Sequence, residues 1–208
     1  RDHRERSADW SRVTVPFLSA ANWGGQGLHP RGNFEGFIRA ASPMKWLEVH
    51  GREHWTEYYT RYGVSLQKRF FDFFLKGIDN GWKEQPRVQL QVRRVDGFLQ
   101  RSEEEWPLAR TRWTRFYLNP ADRTLTPRPV AAEGSIEYEA LGEGVTFRSS
   151  PLEEETEITG PLAAKVFLSS STPDADLFLV FRVFAPGGEE VVFQGALDPH
   201  TPVAQGWL

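Results

Sequence analysis

The chain has 208 residues, 39% hydrophobic and 25% charged, with 28 Asp and Glu against 25 Lys and Arg for a formal net charge of -3. That length holds one or two domains with real cores, and no apolar run approaches the roughly 18 residues of a membrane span. The absence of cysteine excludes disulfides, thiolate metal sites, iron–sulfur clusters and a cysteine nucleophile.

The charge is unevenly placed, and this predicts two differently built regions: residues 1–128 carry 22 Lys and Arg against 15 Asp and Glu, and residues 129–208 carry 3 against 13. The basic residues stand singly among carboxylates, so they read as solvated side chains and no nucleic-acid surface is expected. Arg1-Asp2-His3-Arg4-Glu5-Arg6 reads as a polar linker rather than a signal-peptide core. Together with the apolar ending Gly206-Trp207-Leu208, it suggests an internal fragment of a longer, soluble protein, with the cytoplasm as the favoured compartment.

In chain order, residues 13–23 form a β-branched and apolar run without alternation, the pattern of a strand buried on both faces. The turn Gly24-Gly25-Gln26-Gly27 follows. Over residues 30–41, Phe34, Phe37, Ile38 and Ala41 recur at helical spacing. Residues 44–49 predict a second buried strand that ends at His50-Gly51. Residues 60–76 place Leu66, Phe70, Phe73 and Phe74 on one helical face, with Gly77 as the stop. Strand, helix, strand, helix predicts a parallel α/β layer built with right-handed crossovers. Past a polar connector over 78–86 the helical period disappears. Strands are predicted over 88–95, 114–118, 145–149, 162–170, 177–184 and 190–194, an antiparallel β-sandwich of jelly-roll type. The expected division is therefore residues 1–82 and residues 83–208, the second truncated at its C-terminal end.

Three histidines lie close together: His29, His50 and His54. His50-Gly51-Arg52-Glu53-His54 matches the H-x-x-E-H pattern of inverted zinc peptidases, which requires both His on one helical face. The strand-like residues before it and Gly51 within it oppose a helix there. No phosphate-binding loop and no G-x-S-x-G nucleophile elbow is present. The loop Gly51-Arg52-Glu53-His54-Trp55 remains, after a central strand, where open α/β sheets collect reactive groups. A proton-relaying histidine and a plain surface or capping histidine both fit that loop.

Val15-Pro16-Phe17-Leu18-Ser19-Ala20-Ala21-Asn22-Trp23, the run from Trp46 to His54, and Gln67-Lys68-Arg69-Phe70-Phe71-Asp72-Phe73-Phe74-Leu75-Lys76-Gly77 are followed by a β-rich tail. Together they resemble the CocE/NonD family of serine hydrolases, which includes cocaine-esterase-like, α-amino-acid ester hydrolase and X-Pro dipeptidyl-peptidase-like enzymes. The resemblance implies an α/β-hydrolase core followed by a jelly-roll, galactose-binding-like β-sandwich. It also implies cofactor-free cleavage of ester, amide or peptide substrates, with His54 as the catalytic histidine. The family's serine lies upstream of the present sequence, and its usual acid falls on Gly25, which cannot orient an imidazole. Glu35 on the next helix is the candidate acid, with Glu53, a carboxylate outside this sequence and a weakened enzyme as alternatives.

A competing reading from another class is a β-sandwich that binds carbohydrate or a protein partner beside an inert hydrolase remnant. Trp106, Trp113 and Tyr117 would then be a stacking platform, against their plainer use in a core or interface. Self-association into a homo-oligomer stays open.

Overall fold

The computed structural model describes residues 7–208; the linker expected over 1–6 and the side chain of His54 lie outside the described residues. A four-stranded sheet has the order β1 (Phe17–Asn22), β2 (Lys45–His50), β3 (Val88–Arg94), β4 (Gly97–Glu103). The first three strands run parallel and β4 runs antiparallel to β3. The crossovers carry helices α1 (Pro30–Arg39), α2 (His54–Tyr59) and α3 (Arg61–Lys76).

Strand alternation sends alternate residues of β2 into two separate cores. Leu47 and Val49 join Ala21, Phe37, Val88 and Leu90 in one, while Trp46 joins Leu66, Phe70 and Trp82 in the other. Both faces of the strand are therefore covered: Leu47 and Val49 are almost wholly buried, as is Trp46. Helix α3 ends at Gly77 as its sequence predicts and starts one residue later than expected, with Thr60 as its cap. The Thr60 hydroxyl accepts from the Gly63 N–H at 3.0 Å, and Gly77 takes a left-handed φ of 66° so that the Ile78 N–H reaches the Asp72 carbonyl at 3.1 Å.

The structure first departs from expectation in the sheet. Strand β3, expected to open the antiparallel region, pairs parallel with β2 through Leu47–Val88 and Val49–Leu90, so the sheet runs on past residue 82. Alternation identifies a half-buried strand but carries no information on its direction. Strand β4 was not anticipated at all, although Asp96-Gly97 is a strong hairpin signal. As the strand-like residues before it and Gly51 within it lead one to expect, the helix required by the zinc pattern does not form: His50 is the last residue of β2 and His54 the first of α2, so the two histidines do not sit one turn apart on a helix.

The chain divides into two compact units, Arg1–Ala109 with Gly160–Leu208, and Arg110–Thr159. The second holds a short antiparallel pair, β5 (Tyr117–Asn119) and β6 (Thr124–Thr126), with Arg148 bridging to Thr124. None of its residues is fully buried. In the C-terminal part of the first unit, β7 (Phe178–Phe181) pairs with β10 (Ala204–Trp207), and β8 (Val183–Phe184) with β9 (Glu190–Val191). Strands thus far outnumber helices beyond residue 88. The segment 162–170, expected to be a strand, is irregular and carries Phe167 at 93% exposure, so its apolar residues have no face to bury. Among the described residues no helix is long and apolar enough to cross a membrane.

Candidate functional site

The carboxyl ends of β1 and β2 lie side by side, with Asn22 in register with His50. A period of two puts Glu48 and His50 on one face of β2, and there Glu48 Oε2 and His50 Nδ1 meet at 2.8 Å with both side chains about 4% exposed. Burial raises the Glu48 pKa above the ordinary carboxylate value, the His50 contact opposes that rise, and the nearby Glu57 adds to it. With the Nδ1 proton donated to Glu48, His50 Nε2 presents a lone pair. Among the described residues that nitrogen, Glu48 Oε1 and both polar atoms of the Asn22 carboxamide are buried without a hydrogen-bond partner. Carboxylate on Nδ1 and a bare Nε2 is the acid–histidine half of a nucleophile relay.

The loop Gly51–Glu53 then turns away and His54 begins α2. Glu53 stands at the N-cap position, and its carboxylate accepts from the Thr56 hydroxyl of its own helix. Glu57, buried one turn along, lies 3.8 Å from Arg52. Glu35, the expected acid, sits midway along α1 and is paired with Arg39 at 2.6 Å, where its side chain is 36% exposed. At the empty acid slot, a Cβ on Gly25 would stand 2.4 Å from Asn22 Oδ1. A side chain there would have to displace the Asn22 amide.

A cavity of about 350 Å³ opens beside this loop, lined among others by Gly51, Arg52, Arg93, Asp96, Phe98 and Phe193. Its aromatic floor continues inward: Phe98 stacks on Phe193 at 6.2 Å and Phe193 on Trp23 at 6.0 Å. Trp106 stacks on Phe34 at 4.8 Å and is 8% exposed. Trp106 therefore belongs to the core and offers no stacking face to a ligand. In the second unit Trp113 is exposed and Tyr117 half-buried.

His50 and Glu48 are the residues that sequence reasoning passed over as a pair. Their spacing of two on a buried strand was the available signal, since a charged residue in that setting is stable only when partnered. Among the described residues no group of three or more metal-ligating side chains converges.

The family model for the X-Pro dipeptidyl-peptidase C-terminal non-catalytic domain matches residues 80–208. Two crystal structures of a CocE/NonD family hydrolase from Staphylococcus aureus are similar to this chain at 28% identity. One covers 100% of this chain and 39% of its own at a TM-score of 0.77. The other covers 99% and 38% at 0.74. The chain thus spans about two fifths of the length of those hydrolases. No curated protein matches it.

Proposed function

Because this chain belongs through residues 80–208 to the X-Pro dipeptidyl-peptidase C-terminal non-catalytic domain family, we propose that it is the C-terminal part of a serine hydrolase acting on esters, amides or X-Pro peptides. Residues 1–82 close an α/β-hydrolase domain. Residues 83–208 follow as a jelly-roll β-sandwich that borders the cleft, its first hairpin extending the hydrolase sheet. The nucleophilic serine comes from outside these 208 residues. His54 takes the serine proton as the hydroxyl attacks the acyl carbon, backbone amides hold the oxyanion, and the imidazolium returns the proton to the leaving alkoxide or amine. Water then repeats the sequence on the acyl-enzyme. Glu35 is the sequence-derived candidate for the acid, and would have to leave Arg39 to serve.

The observation that carries this reading is the position of His54, in the first turn after a central parallel strand, in a chain similar along its whole length to a CocE/NonD hydrolase. A second reading has its own support in the 2.8 Å contact between Glu48 and His50 and the bare Nε2. In it, His50 is the base and Glu48 the acid.

The test is a pair of variants in the full-length hydrolase, assayed on a p-nitrophenyl ester and an X-Pro p-nitroanilide with melting temperature as the control of fold. His54→Ala is expected to lower kcat by several orders of magnitude, and His50→Ala much less. The reverse order transfers the base to His50, and full activity in both variants removes the relay altogether. The 208-residue chain alone is expected to leave both substrates intact.

A further inference from the structure

The parallel ladder between β2 and β3 ends at Val49–Leu90. One residue further on, Gln91 has no ladder partner on the β2 side, and its two oxygens are taken by two different loops. The side-chain Oε1 accepts the backbone N–H of Gly51 at 3.0 Å. The main-chain carbonyl accepts the indole N–H of Trp23 at 2.8 Å. Gly51 opens the loop that delivers His54, and Trp23 opens the loop that holds Gly25. A buried backbone N–H has to find an acceptor somewhere, and at the end of the ladder Gln91 is the residue that supplies it.

A ring contact completes the arrangement. Phe98, on β4 of the same hairpin, lies so close to Gly51 that a Cβ there would stand 2.1 Å from its ring. The ring closes off one side of the loop while Gln91 holds the amide. Arg93 fixes the hairpin turn itself, its guanidinium donating to the carbonyls of Val95 and Gly97 at 3.3 Å and stacking on Phe98 at 5.4 Å.

The geometry points to Gln91 as a positioning residue for the hydrolase. It lies in the region that the family describes as non-catalytic, and it sets the geometry of the two loops that follow β1 and β2. This rests on the reading of His54 as the base. Reacting groups must be held to well under 1 Å, and a displacement of about 1 Å costs roughly 100-fold in rate. A brace on the loop therefore acts on kcat more than on substrate binding.

The experiment compares Gln91→Leu, which removes the acceptor at similar size, with Gln91→Glu, which keeps a carboxylate oxygen in its place, both in the full-length hydrolase. Gln91→Leu is expected to lower kcat about 10- to 100-fold with KM within twofold, and to speed amide exchange in the peptide over residues 49–55. Gln91→Glu is expected to restore both. Unchanged exchange and kcat in Gln91→Leu overturn the inference, and so does an equal loss in both variants that tracks their melting temperatures. If His54→Ala proves fully active, the hydrolase reading fails separately. The exchange measurement then decides alone: faster exchange in Leu than in Glu supports the brace, and equal rates overturn it.

Discussion

Two parts of this molecule use similar residues with different results. The sheet β1–β4 and its helices bury Trp82, Leu47, Val49, Val88 and Leu90 almost completely, whereas residues 110–159 contain no fully buried side chain. Both contain Trp, Val, Leu and Tyr. Strand β2 has a core on each face to receive its side chains. The β5–β6 ribbon is extended only by the bridge from Arg148 to Thr124, and an isolated pair of short strands is marginal in water. Apolar content alone does not make a core; a second layer does.

The largest expected break in this contrast is at tryptophan. Trp82 is 0% exposed and packs against Trp46 at 5.3 Å and Phe70 at 5.2 Å. Trp82→Ala should cost about 3–5 kcal/mol in urea unfolding. Trp113, 68% exposed, should change stability by no more than about 0.5 kcal/mol as Trp113→Ala. Equal losses at the two positions would mean that the second region is far better packed than its exposure indicates.

Glycine sharpens the comparison at a smaller scale. Gly51→Ala places a methyl against the Phe98 ring and should cost about 1–3 kcal/mol. Gly27, with nothing within 4 Å of its would-be Cβ, should tolerate Ala with a change of less than about 1 kcal/mol in either direction. Thermal unfolding of the two variants checks both.

The same contrast governs what could be read from the residues beforehand. The helix over Arg61–Lys76 was legible because two signals coincide: the apolar face around Leu66 and Phe70, and Gly77 after it. Strand β2 was legible because burial on both faces leaves apolar side chains at adjacent positions, Trp46 and Leu47, with Val49 close by. The direction of β3 was not, because Val88, Leu90 and Val92 alternate identically in a parallel or an antiparallel neighbour. At the site, His54 was placed by resemblance. The pairing of Glu48 with His50 was signalled only by their spacing of two on a strand read as buried; the 2.8 Å contact itself exists only in the fold. The glycine at position 25 was visible as a missing acid, but the Asn22 amide packed against it exists only in three dimensions.

Within the well-packed region the helix cap should matter less than the core. Thr60 accepts from the Gly63 N–H and donates to the Glu57 carbonyl at 2.8 Å, joining the end of α2 to the start of α3. Thr60→Ala should cost about 1 kcal/mol by urea unfolding, and Thr60→Ser should recover most of it. A loss as large as that at Trp82 would mean that the junction between the two helices, rather than the aromatic core, limits stability.

The smallest expected effect is electrostatic and is recognised by its pH dependence. Asp72 lies on α3 between Lys68 and Lys76, one turn to either side; Lys68 contacts one carboxylate oxygen and Lys76 the other at 2.7 Å. Hydrogen bonds from the two ammonium groups, Lys68 first, hold the Asp72 carboxyl below its ordinary pKa. The folded chain therefore binds this proton more weakly than the unfolded chain, whose value is about 3.9. The stabilisation is fully present above that value and is lost as pH falls through it toward the lower folded value. Both lysines are more than 60% exposed, so the contribution is screened and should shrink further in salt. Asp72→Asn is expected to unfold at a lower urea concentration than the parent chain at pH 7, and at nearly the same concentration once both are below about pH 3. A difference that persists unchanged at low pH would assign the effect of Asp72 to the packing of its buried side chain and not to its charge.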